Sequence, residues 1–418
     1  MQCSQISLGR SRSLALKGKA LVGQSGGPTS VINSSLVGVI EACLASEEID
    51  GVYGMNGGIA GVLEERFFDL QAQSQSVLDG LRKTPSSALT SSRHKLQDEE
   101  IPKVIEILKA HNIRYFFLIG GNDTMDTIHR VEAACQKDGY DLKGIGIPKT
   151  VDNDLFGTDH TPGFPSAARY NALSVKQGGQ LARDMRQVDQ FVVFQTIGRD
   201  AGWLAAATAC ARQNEDDAPH LIYCPERRFN REKMLEDVKR TIDRIGWVSV
   251  VVSEGLLDPD GNPVSASTTH DAFSNTEFGA MGGASVGIEV HKMISEATGL
   301  RGEFQVIESL NMSAIDRAVP LDLEEAYDCG REAVKLGLEG KSGCMVSIER
   351  VADEPYQSRL TTVPLSETAI RAKAMPEDFI NNDGNDITSS AMTYLKPLVG
   401  ELPPFERLRP IFVEPILK

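Results

Sequence analysis

Gly144-Ile145-Gly146-Ile147 running into Pro148-Lys149-Thr150-Val151-Asp152-Asn153-Asp154 is the stretch on which the reading of this chain turns. A short apolar run ends in a cation, a hydroxyl and two carboxylates. The pattern recurs in both directions. Ala20–Val22 runs into Gly23-Gln24-Ser25-Gly26-Gly27-Pro28, and Tyr115–Ile119 into Gly120-Gly121-Asn122-Asp123-Thr124. Phe191–Phe194 precedes Ile197-Gly198-Arg199-Asp200-Ala201-Gly202, Leu221–Tyr223 precedes Pro225-Glu226, and Val248–Val252 runs into Ser253-Glu254-Gly255. Short buried strands alternating with helical stretches predict an α/β fold with a mostly parallel sheet covered on both faces. Ligands of such sheets bind beyond the carboxyl ends of the strands. The glycines and acidic residues cluster there, so several loops can converge on one cleft.

The intervening stretches carry helical periodicity. Glu99–His111 places Ile101, Val104, Ile105 and Leu108 on one face, and Arg231–Arg244 does the same with Met234, Leu235, Val238 and Ile242. Asp258–Pro263 is a turn cluster. A chain of 418 residues suits two domains. Its 43 basic and 58 acidic residues give a net charge of -15 with no basic run, which argues against a nucleic-acid partner. An acidic protein can still bind anions where cations and backbone amides converge locally. The seven cysteines form no CxxC pair and no zinc spacing, so reduced thiols in a cytosolic enzyme are expected. Cys43 and Cys210 lie in helix-like apolar stretches, where a thiol acts as a small hydrophobe. No apolar run reaches membrane-spanning length. The first residues read as a loose extension rather than a secretory signal.

Each loop admits two readings. Gly23–Ser30 can present amides to an anion at a helix start, or be a tight strand-to-helix turn. In Gly120–Thr124, paired glycines can hold phosphate while Asp123 reaches a hard cation, or Asp123 can cap the helix. In Pro148–Asp154, a carboxylate can take a proton from an acceptor hydroxyl while Lys149 neutralises phosphate. If that segment is extended, Asp152 and Asp154 project to the same side. The alternative is a polar loop with Asx turns. Arg199 can clamp a phosphoryl group or pair with Asp200.

In order and spacing, the glycine loop at 23–28, GGNDT at 120–124, PKTVDND at 148–154, GRDAGW at 198–203 and Pro225-Glu226 resemble the phosphofructokinase family. SVVVSEG at 249–255, Asp271-Ala272-Phe273 and MPEDFINNDG at 375–384 resemble its longer, diphosphate-dependent branch. The resemblance runs from about Lys19 onward. It implies two Rossmann-like three-layer domains with the active site in the cleft between them. The expected division is an extension at 1–18, a donor domain at 19–165 plus about 310–355, and an acceptor domain at 166–309 plus about 356–418. The implied activity is transfer of a phosphoryl group from diphosphate to the 1-hydroxyl of fructose 6-phosphate, with Mg²⁺, by a cytoplasmic homodimer or homotetramer. Asp152 resembles the base, with Lys149, Arg199 and Thr150 completing the catalytic set. Gly26, Gly27, Arg93, Gly121, Asp123, Thr124 and Lys149 fall on the donor side. Thr150, Asp152, Asp154, Ile197, Gly198, Arg199 and Glu226 fall on the acceptor side. ATP-using members usually carry glycine at the positions of Asp123 and Lys149. Here Asp123 would repel a nucleotide, and Lys149 would fill its space with a cation. Asn122 stands where many members have a metal-binding aspartate, so the metal role falls to Asp123.

The acceptor-phosphate grip departs from the family pattern. Met312 and Ser309 stand where an arginine and an aromatic or histidine are expected. Gln190 replaces an arginine often supplied by a neighbouring subunit, and a third arginine position falls near Glu303. Arg301 and Arg317 are close enough in sequence to compensate. Charge-assisted contacts are worth roughly 1.5–3 kcal/mol each. Their loss leaves open a different acceptor: a neutral polyol or sugar, or another sugar phosphate. A non-catalytic phosphate-binding paralogue ranks last, because Lys149, Asp152, Asp154 and Arg199 are all present.

Overall fold

The computed structural model describes residues 15–92, 94–265, 284–307 and 309–417. Arg93 and the Asp271–Phe273 motif lie outside the described residues, as does most of the N-terminal extension. In chain order the strands are β1 (Gly18–Gln24), β2 (Ile49–Met55), β3 (Phe67–Asp69), β4 (Ile113–Gly120), β5 (Lys143–Pro148), β6 (Phe191–Thr196), β7 (Leu221–Tyr223), β8 (Val248–Ser253), β9 (Gly302–Ile307), β10 (Cys344–Asp353) and β11 (Tyr356–Pro364). They form a seven-stranded sheet in the order β11-β10-β5-β4-β1-β2-β3 and a four-stranded sheet in the order β7-β8-β6-β9. All pairings are parallel except β2 with β3 and β10 with β11. The six apolar runs read from the sequence all lie within strands, and β4 and β6 are buried almost end to end, as strands covered on both faces must be.

Helices cover both sheets. Helix Ile32–Leu44 packs on helix Pro320–Leu338, so a late segment of chain closes the first domain. The amphipathic stretch at 99–111 is a short 3₁₀ turn leading into helix Ile101–Ala110, with Val104, Ile105 and Leu108 buried. Helix Arg231–Ile245 is capped at its start by Asn230, whose side chain accepts the Lys233 amide, and ends at Gly246 in the left-handed region. Asp258 folds its expected turn by accepting the Asn262 amide at 2.8 Å.

The expected boundary near residue 355 needs correction. After β10 the chain doubles straight back as β11 and pairs with it along its whole length. Tyr356–Pro364 therefore extends the first sheet rather than joining the acceptor domain. Leu365, opening the next short helix, is buried in the first domain's core. Crossing comes later: Met375, Ile380, Leu395 and Val399 join the second domain's core. No helix among the described residues is long and apolar enough to cross a membrane.

Candidate active site

The loops after β1, β4, β5, β6 and β7 carry the described residues singled out from the sequence, and Lys149 ties three of these loops together. Its amide donates to the Gly120 carbonyl at 3.1 Å. Its ammonium donates to the Gly27 carbonyl at 2.6 Å. Gly26 has φ +74°, open to glycine, and a Cβ there would sit 3.3 Å from Lys149 Nζ. The lysine is 3 % exposed. Burial pulls its pKa down to about 8, against the opposing pull of Asp152 and Asp154.

Asp152 responds the other way. Burial and the neighbouring Asp154 raise its pKa to about 6, while Lys149 and Arg199 hold it down. Thr150 accepts the Asp152 amide through its hydroxyl at 3.1 Å, which fixes the turn. Asp154 is also raised, first by burial, and accepts from Asn122 Nδ2 at 3.3 Å. The two carboxylates are not arranged as an extended segment would place them. Asn153 between them has φ +57°, so the chain turns there, and its fully buried side chain accepts the Thr161 amide at 3.1 Å. Asparagine tolerates that backbone region better than most residues, which is the signal a turn reading could have used.

Asp123 does not cap its helix. The cap position of helix Asn122–Lys137 is Gly121, and Asp123 sits exposed in the first turn, where a carboxylate favours the helix dipole. Thr124 is buried and packs on Gly120, where a Cβ would meet its hydroxyl at 2.1 Å. Asn122 Oδ1 is buried with no protein partner.

Arg199 has no ion pair with Asp200 among the described residues, so that alternative falls. Its charge acts instead on Asp152. The loop is held by Gly198, whose amide donates to Glu254 at 3.1 Å and whose carbonyl accepts from Ser253 Oγ at 2.5 Å. Gly255 completes the fit: a Cβ there would lie 1.6 Å from the Arg199 carbonyl oxygen. The Ser253-Glu254-Gly255 motif is thus the seat of the arginine loop. Ile197 is half-buried against the second core. Glu226 accepts the Gly202 amide at 2.9 Å through one oxygen, while the other is buried without a protein partner. Burial raises its pKa.

The side where the sequence predicts an acceptor phosphate is different. Met312 lies in a 3₁₀ turn, Ser309–Met312, with its sulfur 3.7 Å from where a Gly27 Cβ would be. Both candidate replacement arginines make their contacts elsewhere in the same chain. Arg317 stacks 4.7 Å over Tyr170 and reaches Ser174 Oγ at 3.4 Å. Arg301 precedes β9, at the amino end of a sheet in which Gly302 pairs with Phe191 and Ile307 with Thr196. The Arg199 loop leaves from the Thr196 end, about 20 Å away along six residues of strand. Compensation by Arg301 within one chain is therefore ruled out. It pairs with Asp189 at 3.4 Å and is 76 % exposed.

Sequence reading missed Lys373, whose ammonium donates to Asn153 Oδ1 at 3.1 Å. No motif marked it.

Residues 19–336 match the family model described as Phosphofructokinase. The pyrophosphate–fructose 6-phosphate 1-phosphotransferase of Halomonas elongata is 40 % identical over 396 residues, covering 93 % of each chain. A sulfofructose kinase of Alkalicoccus urumqiensis is 33 % identical, covering 83 % of this chain and 87 % of its own. The crystal structure of the pyrophosphate-dependent phosphofructokinase from Nitrosospira multiformis superposes with a TM-score of 0.84 at 37 % identity, covering 94 % of this chain and 95 % of that one. That structural match is to an enzyme described as pyrophosphate-dependent. The chain is a transferase that belongs to the phosphofructokinase family, within its diphosphate-dependent branch.

Proposed function

We propose that the protein transfers a phosphoryl group from diphosphate to the 1-hydroxyl of fructose 6-phosphate with Mg²⁺. The observation that carries the donor assignment is Lys149, a buried ammonium against the Gly26–Gly27 loop. It fills space a nucleotide would need and offers a cation to a short inorganic donor.

In this mechanism Asp152 takes the proton of the acceptor hydroxyl. The hydroxyl oxygen forms a bond to the terminal phosphorus of diphosphate. The bridging P–O bond breaks, and orthophosphate leaves with its electron pair. Lys149 and Arg199 face the charge that develops, in a site shielded enough to make each cation count. Glu226 Oε2, which lacks a protein partner, is available to an acceptor hydroxyl.

The residues present fit a Mg²⁺ held largely by the donor's own phosphates. Among the described residues no group of three acidic, histidine or cysteine ligands forms a dedicated cage. Asp123 supplies one exposed carboxylate, and Asn122 Oδ1 is an orphaned acceptor beside it. This suits Mg²⁺, which keeps waters and takes one or two protein oxygens beside substrate phosphates. When bound, the ion neutralises phosphate charge during transfer.

The six described cysteines are free thiols, which supports a reducing compartment such as the cytoplasm.

Purified protein with Mg²⁺ should turn over diphosphate with fructose 6-phosphate and leave ATP unused. Its kcat/KM should fall below about pH 6, as Asp152 protonates, and above about pH 8, as Lys149 loses its charge. ATP turnover would overturn the donor assignment. A second acceptor reading rests on Met312 facing Gly27 where an arginine is expected. Turnover with a neutral polyol and none with fructose 6-phosphate would select it.

A further inference from the structure

Lys373 lies in the strand-like segment that crosses from the first domain to the second, bridged to the base loop through Ala372 and Leu155. Its amide donates to the Asp154 carbonyl at 2.7 Å. Its ammonium donates to Asn153 Oδ1 at 3.1 Å, to the Asp159 carbonyl, and to the Thr158 carbonyl at 3.5 Å. The same ammonium sits 4.7 Å from the centre of the Trp203 ring. Trp203 opens the short helix directly after the loop that carries Arg199. One cation therefore touches both the turn between Asp152 and Asp154 and the element that anchors the arginine loop.

We infer that Lys373 is a positioning residue for phosphoryl transfer, locking the Asn153 turn so that Asp152 is held in register with Arg199. This rests on the phosphotransfer reading above. The geometry gives the lysine little else to do. Its donors are used on backbone carbonyls and the Asn153 side-chain oxygen. A neutral replacement would leave Asn153 Oδ1 with only the Thr161 amide and remove the cation from the indole face. The groups facing the ammonium are Asp154, Asp159, Arg350, Tyr394 and Trp203. Burial lowers its pKa to about 7, with Asp159 and Asp154 opposing and Arg350 assisting. The lock should therefore loosen as pH rises through neutrality.

The chain has two tryptophans, so Trp247→Phe leaves Trp203 as the sole indole. In that background, Trp203 emission should titrate with a midpoint near pH 7, and adding Lys373→Met should abolish the titration. In the otherwise unaltered enzyme, Lys373→Met should lower kcat about 10- to 100-fold while KM for diphosphate stays within about threefold, since a small misplacement of a catalytic group has this effect. Lys373→Arg should recover at least part of kcat. A titration that persists in Lys373→Met, an unchanged kcat, or a loss confined to KM would each overturn the inference. If Lys373→Met does not fold, the emission titration of the parent and the kcat of Lys373→Arg decide it. Absence of phosphoryl transfer by the unaltered protein would instead defeat the functional reading, and the emission titration would still report on the contact.

Discussion

Asp152, the proposed base, sits where burial opposes its charge. Its ordinary pKa near 3.8 rises to about 6, so the folded state favours the protonated form. A carboxyl raised on folding weakens stability as pH climbs from its ordinary value to its folded one, and the deficit persists above that. Asp152→Asn should therefore abolish phosphoryl transfer yet raise the unfolding free energy at pH 7 by about 1–2 kcal/mol, allowing for its partial exposure. The gain should vanish near pH 3, where the aspartate is protonated in both states. Thermal unfolding of the two proteins at both pH values checks the sign. The types and order of Lys149, Thr150, Asp152, Asp154 and Arg199 were legible in the sequence, because strand ends with charged loops mark themselves. Lys373 was not, because a single lysine in an unremarkable segment acquires meaning only when the fold lays it over Trp203. The Asp200 alternative for Arg199 could be settled only by the loop's geometry.

The segment that follows the base loop is fastened by a buried charge cluster. His160 is fully buried and bonded to Asp159 at 2.9 Å and to Glu325 at 2.7 Å. Glu325 also accepts from Tyr356 at 2.8 Å and Ser358 at 2.6 Å, and Arg350 pairs with Asp159 at 3.1 Å. Helix Pro320–Leu338, β10 and β11 are thereby joined to the loop that leads back to Asp152. Burial alone would lower the His160 pKa, but the bonds to Asp159 and Glu325 outweigh it and raise it to about 9. Its contribution is complete below the ordinary histidine value and is lost as pH rises through about 9. The melting temperature should fall between pH 6.5 and 9.5, and His160→Gln should start lower and flatten that slope. A slope that survives the substitution would place the pH dependence elsewhere. At this scale, elements with continuous apolar runs could be read from the sequence. β11 could not, because it alternates exposed and half-buried residues along a sheet edge. The pairing of β10 with β5 is set by distant segments and leaves no local signature.

Across the whole molecule, the second sheet ends in β9, an edge strand with Phe304 44 % exposed and Arg301 beside it. A second copy covering this edge would bury it. It would also carry cations such as Arg301 toward a neighbouring acceptor pocket, which in its own chain holds Met312. Light scattering should give at least twice the 45.4 kDa chain mass. Arg301→Ala should raise KM for fructose 6-phosphate about tenfold or more while leaving KM for diphosphate unchanged. A monomer, or an unaltered KM, would leave the acceptor grip to another group. The strand order bears on synthesis as well. β5 sits in the middle of the first sheet, but the strand that covers its open side is made last of the parallel set. At about 5–20 residues per second, the roughly 200 residues between them take on the order of 10–40 s to emerge. For that interval the nascent chain presents a bare, apolar sheet edge to the ribosome's surroundings. Slower translation late in the message would lengthen its exposure to aggregation and its dependence on chaperones.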